Sequence, residues 1–290
     1  MVHATNRLAD IKKVSVEKLS GIYPRKEAEN LVNMLIMHYY GLSRAMQQVQ
    51  IERRLSGSEM PALQEAVKRL LNSEPIQYVL GNTEFYGLQI TVGQGVLIPR
   101  SETEELVGKI IGDNSGTNLE ILDIGTGSGC IALALKNDLP GCSVTAIDVS
   151  AGALSLARKN AKKLNLDIDF RQCNILNTET CWLTLGKSFH IIVSNPPYVL
   201  QKEKKEMPDN VLKFEPHLAL FVKDTDPLLF YRKIIDFARK ALKSGGKLYL
   251  EINANYAAET ASLFEKDPFD SPEILTDFRG KARFLIVKKH

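Results

Sequence analysis

The sequence predicts an α/β protein, a seven-stranded and mostly parallel sheet wound with helices on both faces, with an antiparallel last strand and a small helical domain in front. Three observations predict it. Apolar residues repeat at helical spacing up to about Leu80, and short apolar runs alternate with helical stretches from about Leu119 onward. The final two strand-like runs are separated by too few residues for a crossover helix, so they must run antiparallel.

In the first part, Leu31, Val32, Leu35, Ile36 and Tyr39 share one helix face, and Gly41 is a plausible stop. A second helical run, Leu63, Val67, Leu70 and Leu71, follows Pro61, a good first-turn residue, and ends before Pro75. From Glu84 to Pro99 the character changes to β-branched and aromatic residues broken by Gly87, Gly93 and Gly95, which predicts a hairpin or extended connector. Ser101 and Glu104 then read as a capping box, with a helix beginning near Glu102. Strands are expected at Leu119–Ile124, Ser143–Val149, Ile168–Cys173, His190–Ser194, Lys247–Ile252, Glu273–Phe278 and Arg283–Lys288. The expected domains are residues 1–82, helical, a hairpin connector over 83–99, and an α/β domain over 100–290.

Composition excludes several classes. A hydrophobic share of 44% and a charged share of 24% describe a chain that buries a core rather than a disordered one. With 37 basic and 34 acidic residues the net charge is only +3, so no electrostatic footprint for nucleic acid stands out, and direct nucleic-acid binding is not expected. There is no apolar leader and no run of about 18 apolar residues, which points away from a membrane and to the cytosol. Cys130, Cys142, Cys173 and Cys181 form no C-x-x-C pair and have no histidine at zinc-ligand spacing; they are expected to be reduced and mostly buried, with no metal site.

The strongest local signal is Leu122-Asp123-Ile124-Gly125-Thr126-Gly127-Ser128-Gly129-Cys130, a glycine-rich turn between an apolar strand and a helical run. In doubly wound sheets ligands bind beyond the carboxyl ends of the strands, and glycine lets the backbone approach them. A dinucleotide turn needs its third glycine where Cys130 stands; here it falls one position early, which favours S-adenosyl-L-methionine. Asp148 ends the next strand, where its carboxylate can accept from both ribose hydroxyls. Asn174 and Ile175, ending the third, are candidates for adenine, by hydrogen bonding and by covering its face. The cofactor set is therefore Asp123, Gly125, Thr126, Gly127, Ser128, Gly129, Asp148, Asn174, Ile175 and Asn195.

A fourth strand runs directly into Asn195-Pro196-Pro197-Tyr198 at the same rim. Two prolines end sheet pairing and stiffen the turn. An amide or aromatic amine nitrogen is a poor nucleophile because its lone pair is delocalised, so an enzyme that methylates it must orient it. The Asn195 side-chain oxygen can accept one N–H and the Pro196 carbonyl the other, while Tyr198 offers an aromatic surface for the planar group. Asn195, Pro196, Pro197 and Tyr198 are thus the expected catalytic segment of an N-methyltransferase, with most of the acceleration coming from positioning.

Seven strands with an antiparallel end resemble the Rossmann-like sheet of class I methyltransferases. From about Pro75 onward the chain also resembles the HemK-type release factor glutamine methyltransferases, in Pro75-Ile76-Gln77-Tyr78 with Gly81, Glu84-Phe85-Tyr86-Gly87, Leu97-Ile98-Pro99-Arg100 with Thr103-Glu104, the glycine turn, Asn195–Tyr198, and Phe214-Glu215-Pro216 with Ala219-Leu220. The resemblance implies methylation of the glutamine amide in the Gly-Gly-Gln loop of a peptide chain release factor, a protein partner from translation termination. The chain departs from the family pattern at Asn174, where aspartate is common, and Ile175, where some members have an aromatic, both bearing on the adenine contacts, at Asn253 where the family tends to have glycine, and at Ala282 in place of the usual aspartate; these changes are expected to touch the distal sheet more than the reaction centre. The segment chemistry alone also suits a ribosomal-protein glutamine methyltransferase or an adenine amino-methyltransferase acting on DNA.

Overall fold

The structure is a computed structural model and describes residues 6–114, 116–265 and 268–290; the first five residues of the expected helical region lie outside it. The chain divides into two compact units, one of Met1–Gly81 with Pro208–Phe214, the other of Asn82–Met207 with Glu215–His290.

The first unit holds helices α1 (Leu8–Leu19), α2 (Arg25–Tyr40), α3 (Arg44–Val49), α4 (Met60–Leu71) and α5 (Ile76–Leu80). On α2 the stripe Leu31, Val32, Leu35 and Ile36 is buried, as its spacing predicts, and Gly41 ends the helix in the left-handed region at φ 67°. Pro61 sits in the first turn of α4, where its missing N–H costs nothing. Leu8, Leu19, Leu63 and Leu70 close the same core, each burial stabilising the fold by about 1.5–3 kcal/mol. The buried Gln47 is satisfied by the carbonyls of Asn33 and Leu42, which keeps α3 in place.

The second unit begins with the hairpin β1 (Asn82–Phe85) and β2 (Leu88–Thr91). Tyr86 and Gly87, at φ 47° and 74°, make its two-residue turn, whose positive angles match the twist of the strands. There follow α6 (Ser101–Asp113), β3 (Glu120–Ile124), α7 (Cys130–Asp138), β4 (Ser143–Asp148), α8 (Ala151–Leu164), β5 (Asp169–Gln172), α9 (Thr178–Leu185), β6 (Phe189–Ser194) and β7 (Val199–Leu200). The chain continues through α10 (Asp209–Phe214), which is counted with the first unit, then α11 (His217–Leu220), β8 (Phe221–Val222), α12 (Leu229–Ala241), β9 (Leu242–Glu251), α13 (Ala257–Ser262), β10 (Glu273–Thr276) and β11 (Ala282–Lys288).

The seven-stranded sheet has the order β10-β11-β9-β6-β3-β4-β5. β3 pairs in parallel with both β4 and β6, and β11 runs antiparallel between β9 and β10, as the short final connection requires. Leu122, Ile124, Ile192, Leu248 and Leu250 share one core with Ile234, Ile235 and Ala238 of α12. The alternate residue Tyr249 faces the other way, its hydroxyl bonded to Asp113 at the end of α6. Strand order reverses on either side of β3, so the crevice between the ends of β3 and β6 is the topological switch point where such sheets bind ligands.

Two local expectations change. α6 is in place, but Ser101 does not cap it: Glu104 accepts instead from the amide of Tyr86, satisfying a hairpin turn that the helix-end pattern could not foresee. Cys173 and Cys181 are paired as a disulfide rather than reduced, because the end of β5 and α9 bring their Cα atoms to 5.7 Å, within bridging range.

Candidate active site

The rim of the switch point opens on a cavity of about 390 Å³. Of the residues expected to hold a cofactor, it is lined by Gly125, Gly127, Asp148, Asn174, Ile175 and Asn195; of the expected catalytic segment, by Asn195, Pro196 and Pro197. Asp123, Thr126, Ser128 and Gly129 are buried behind them, and Tyr198 is partly buried. The distinction is physical and residue by residue.

Gly125, Gly127 and Gly129 all have positive φ, at 75°, 55° and 85°. A Cβ on Gly125 or Gly127 would meet nothing, so there the missing side chain leaves backbone bare to the cavity. A Cβ on Gly129 would lie 3.1 Å from the Cβ of Ala157 and 3.3 Å from Leu133, so this glycine serves the approach of α7 to α8. The turn is pinned from below: the amides of Gly125 and Thr126 donate to the Ile147 carbonyl at 2.9 and 3.0 Å. Thr126 donates its hydroxyl to Asp123 at 2.6 Å. Asp123 is fully buried, and burial, with Asp148 nearby, pushes its carboxyl up to about 7.

Asp148 reaches the cavity but is also structural. Its two oxygens accept from the amides of Gly127 and Ser150 at 2.9 and 2.8 Å, which orients the carboxylate at the end of β4. The cap of α8 is Ser150, which accepts from the amide of Ala153. Asn174 uses its side-chain oxygen in a local turn to the amide of Leu176, while Ile175 adds apolar wall.

Asn195 leaves β6 beside the glycine turn because Ser194 and Ile124 are register partners. Its Nδ2 donates to Thr103 at 3.2 Å, and Thr103 donates to the buried Glu251 at 2.7 Å. Tyr198, expected to offer an aromatic surface, is partly buried at the end of the proline turn. Its hydroxyl donates to Glu251 at 2.9 Å and its ring packs against the core under α12, because a hydroxyl taken out of water needs a partner and Glu251 is within reach. Asn253 is also closer to the centre than expected, its Nδ2 donating to the carbonyl of Tyr198 at 3.0 Å. The next residues, Val199–Leu200, pair in parallel with Phe221–Val222, anchoring the far end of the proline turn.

Sequence reasoning missed the roof. Gly95, Val96 and Leu97 line the cavity, as do Pro216, Leu218 and Ala219. Glu215, its side chain 1% exposed, ties these two loops together: it takes Arg100 at 2.6 Å and accepts from the amide of Ile98 at 3.2 Å. The signal was that both loops lie in segments of the family resemblance, Leu97-Ile98-Pro99-Arg100 and Phe214-Glu215-Pro216 with Ala219-Leu220; the contact between Arg100 and Glu215, 115 residues apart, is made only by folding. Among the described residues no group of three or more histidine, cysteine or acidic side chains could hold a metal ion, and no helix is long and apolar enough to cross a membrane.

Residues 16–81 match the PrmC N-terminal domain family, and residues 104–214 match the methyltransferase small domain family. The chain is 46% identical over 276 residues to a release factor glutamine methyltransferase of Flavobacterium psychrophilum, covering 94% of this chain and 95% of the relative. It is 41% identical over 273 residues to the one from Bacteroides thetaiotaomicron, covering 94% and 97%. Among solved structures, a methyltransferase from Pyrococcus furiosus superposes with a TM-score of 0.52 at 19% identity, over 70% of this chain and 89% of that one, which shows the shared fold.

Proposed function

The chain belongs to the release factor glutamine methyltransferase family, and on that premise we propose that it methylates the side-chain amide nitrogen of the glutamine in the Gly-Gly-Gln loop of a peptide chain release factor, with S-adenosyl-L-methionine as donor. The observation that carries this reading is the pairing of Ile124 with Ser194, which sends the glycine turn and Asn195 into one cavity. A substrate that acts in translation termination is met in the cytoplasm.

The cavity suits the cofactor. Bare backbone at Gly125 and Gly127 admits close approach, the Asp148 carboxylate is an acceptor for the ribose hydroxyls, and Ile175 with Asn174 accounts for an apolar face and a polar edge at the adenine. When bound, the cofactor supplies a sulfonium methyl group already activated for in-line displacement.

The chain's own residues then supply orientation. Asn195 Oδ1 and the Pro196 carbonyl accept the two N–H bonds of the glutamine amide, and the paired prolines keep those acceptors from relaxing. As the nitrogen gains positive charge in the transition state, both oxygens hold it more tightly than in the ground state. No strong base is needed, because the nitrogen becomes acidic once methylated and its extra proton passes to water. The helical domain, with the connector that follows it, is the part we assign to recognition of the release factor, over residues 1–82 and 83–99; residues 100–290 carry the transfer.

The test is incubation with labelled cofactor and, in separate reactions, purified release factor, ribosomal protein and DNA, followed by mass spectrometry of peptides and nucleosides. Label on the Gly-Gly-Gln glutamine is expected. Label on adenine or on a ribosomal protein, with none on the release factor, overturns the reading.

A further inference from the structure

Two hydrogen bonds beneath the proline turn converge on one carboxylate, and a third feeds into one of them. Glu251, 1% exposed at the end of β9, receives the hydroxyl of Thr103 on Oε2 and the hydroxyl of Tyr198 on Oε1, and Thr103 in turn receives Nδ2 of Asn195. Thr103 is itself only 2% exposed, in the first turn of α6. Three separate elements are thereby joined behind the cavity wall.

The direction of this chain follows from counting protons. A threonine hydroxyl has one proton, and here it is committed to Glu251. Toward Asn195 the Thr103 oxygen is therefore an acceptor only. If the Asn195 amide turned over, its Oδ1 would face the lone pairs of Thr103 with no proton between them. The NH2 arm is thus held inward, and Oδ1, on the other arm of the planar group, is the atom left for the cavity that Asn195 lines.

We propose that Thr103 and Glu251 are positioning residues that fix the amide of Asn195 with its oxygen toward the substrate nitrogen, and that the same carboxylate anchors the opposite end of the turn through Tyr198. This rests on the role of Asn195 as acceptor for the substrate amide. It adds an electronic consequence: an NH2 group that donates into a chain ending on a carboxylate makes its own carbonyl oxygen a better acceptor for a nitrogen gaining positive charge.

Protonating Glu251 would undo the arrangement, since a carboxylic acid could donate to Thr103 and free the threonine proton to point at Asn195. Burial raises the Glu251 carboxyl above its ordinary range, and Glu102 of α6 adds to this; Thr103, Tyr198 and Arg283 of β11 oppose it, and Tyr231 of α12 also faces it. Activity should therefore fall on the acid side through this group.

Thr103→Val keeps the shape and removes the hydroxyl, and Thr103→Ser restores it. With purified release factor as substrate, Val should lower kcat about 30-fold, the equivalent of roughly 2 kcal/mol, while Ser stays within about fivefold of the unmodified enzyme. The cofactor Kd, measured by calorimetry, should change less than about threefold in both, a split that simple loss of folding would not give. If Val instead loses cofactor binding, Glu251→Gln decides. Its NH2 group replaces one of the two oxygens that now each accept a hydroxyl proton, so one of the two bonds must break or reverse, kcat should drop about tenfold and the acid limb of the kcat profile should disappear. A Val variant with kcat within about threefold of the unmodified enzyme, or a Gln variant that keeps both rate and acid limb, overturns the proposal. Those results leave the proposed function standing provided Asn195→Ala is inactive; an active Asn195→Ala removes the underlying reading instead.

Discussion

Ser194 donates its hydroxyl to the carbonyl of Ile124 at 2.8 Å, across the ends of two adjacent parallel strands. Both residues are the last of their strands, so the bond stitches together the two points at which the chain leaves the sheet. One exit is the glycine turn and the other is the proline turn. A methyl donor and a nitrogen acceptor must meet within bonding reach, and this is where the fold holds the two segments proposed to bind them side by side.

Asn195→Ala removes one of the two acceptors proposed for the substrate amide and leaves the glycine turn untouched. We expect kcat with release factor to fall at least about 100-fold, with the cofactor Kd changed less than about threefold, read by methyl-transfer assay and calorimetry. Retained turnover would take Asn195 out of this role.

The glycine turn separates two kinds of glycine. Gly129→Ala forces a side chain into the left-handed region and against Ala157 at 3.1 Å, so urea unfolding should show a loss of about 2–3 kcal/mol. Gly127→Ala has open space at its Cβ and pays only for its φ of 55°, so stability should drop by about 1 kcal/mol while cofactor affinity falls more steeply. Equal effects on stability would mean that the two positions are not distinct.

Asp148→Asn leaves one acceptor oxygen where two amides, of Gly127 and Ser150, are now satisfied. Weakened cofactor binding of about 10- to 30-fold is expected by calorimetry, because a carboxylate makes hydrogen bonds roughly twice as strong as a neutral amide does. Unchanged affinity would separate Asp148 from the ribose.

Asp123 has its carboxyl pushed up to about 7, from 3.8, by burial. The folded state therefore holds a proton that the unfolded chain has already released above pH 4, and stability falls as pH rises through that window. Asp123→Asn removes this slope. Measured by urea unfolding between pH 5 and 7, the stability of the variant relative to the unmodified protein should rise by about 2 kcal/mol. A difference that does not vary with pH would show that Asp123 is ionised, and so stabilised, in the fold.

Much of this was legible in the chain itself because it rests on local chemistry. The α2 stripe, the stop at Gly41 and the alternation from Leu119 onward are short-range periodicities, and periodicity is what an isolated segment carries. Strand β9 was legible only from Lys247, whereas it begins at Leu242, since Gly245 and Gly246 break the pattern that would extend it. The two-residue strands β7 and β8 have no period to read at all.

The site divides along the same line. On its own the sequence determined which functional groups stand at the strand ends, bare backbone at Gly125 and Gly127, a carboxylate at Asp148 and an amide at Asn195, because these groups have fixed hydrogen-bonding capacities wherever the chain puts them. Tertiary structure alone decided which members face the cavity and which support it. Gly129 was given to helix packing and Tyr198 to Glu251, each by a partner distant in sequence, while Asp123 lies on the buried floor beneath a turn held by Ile147 of the next strand. The roof clasp of Arg100 on Glu215 and the inward anchor of Asn195 on Thr103 belong to the same class. A hydrogen bond requires its two groups to be within about 3 Å of each other, and only the closed sheet and its helices bring such residues together.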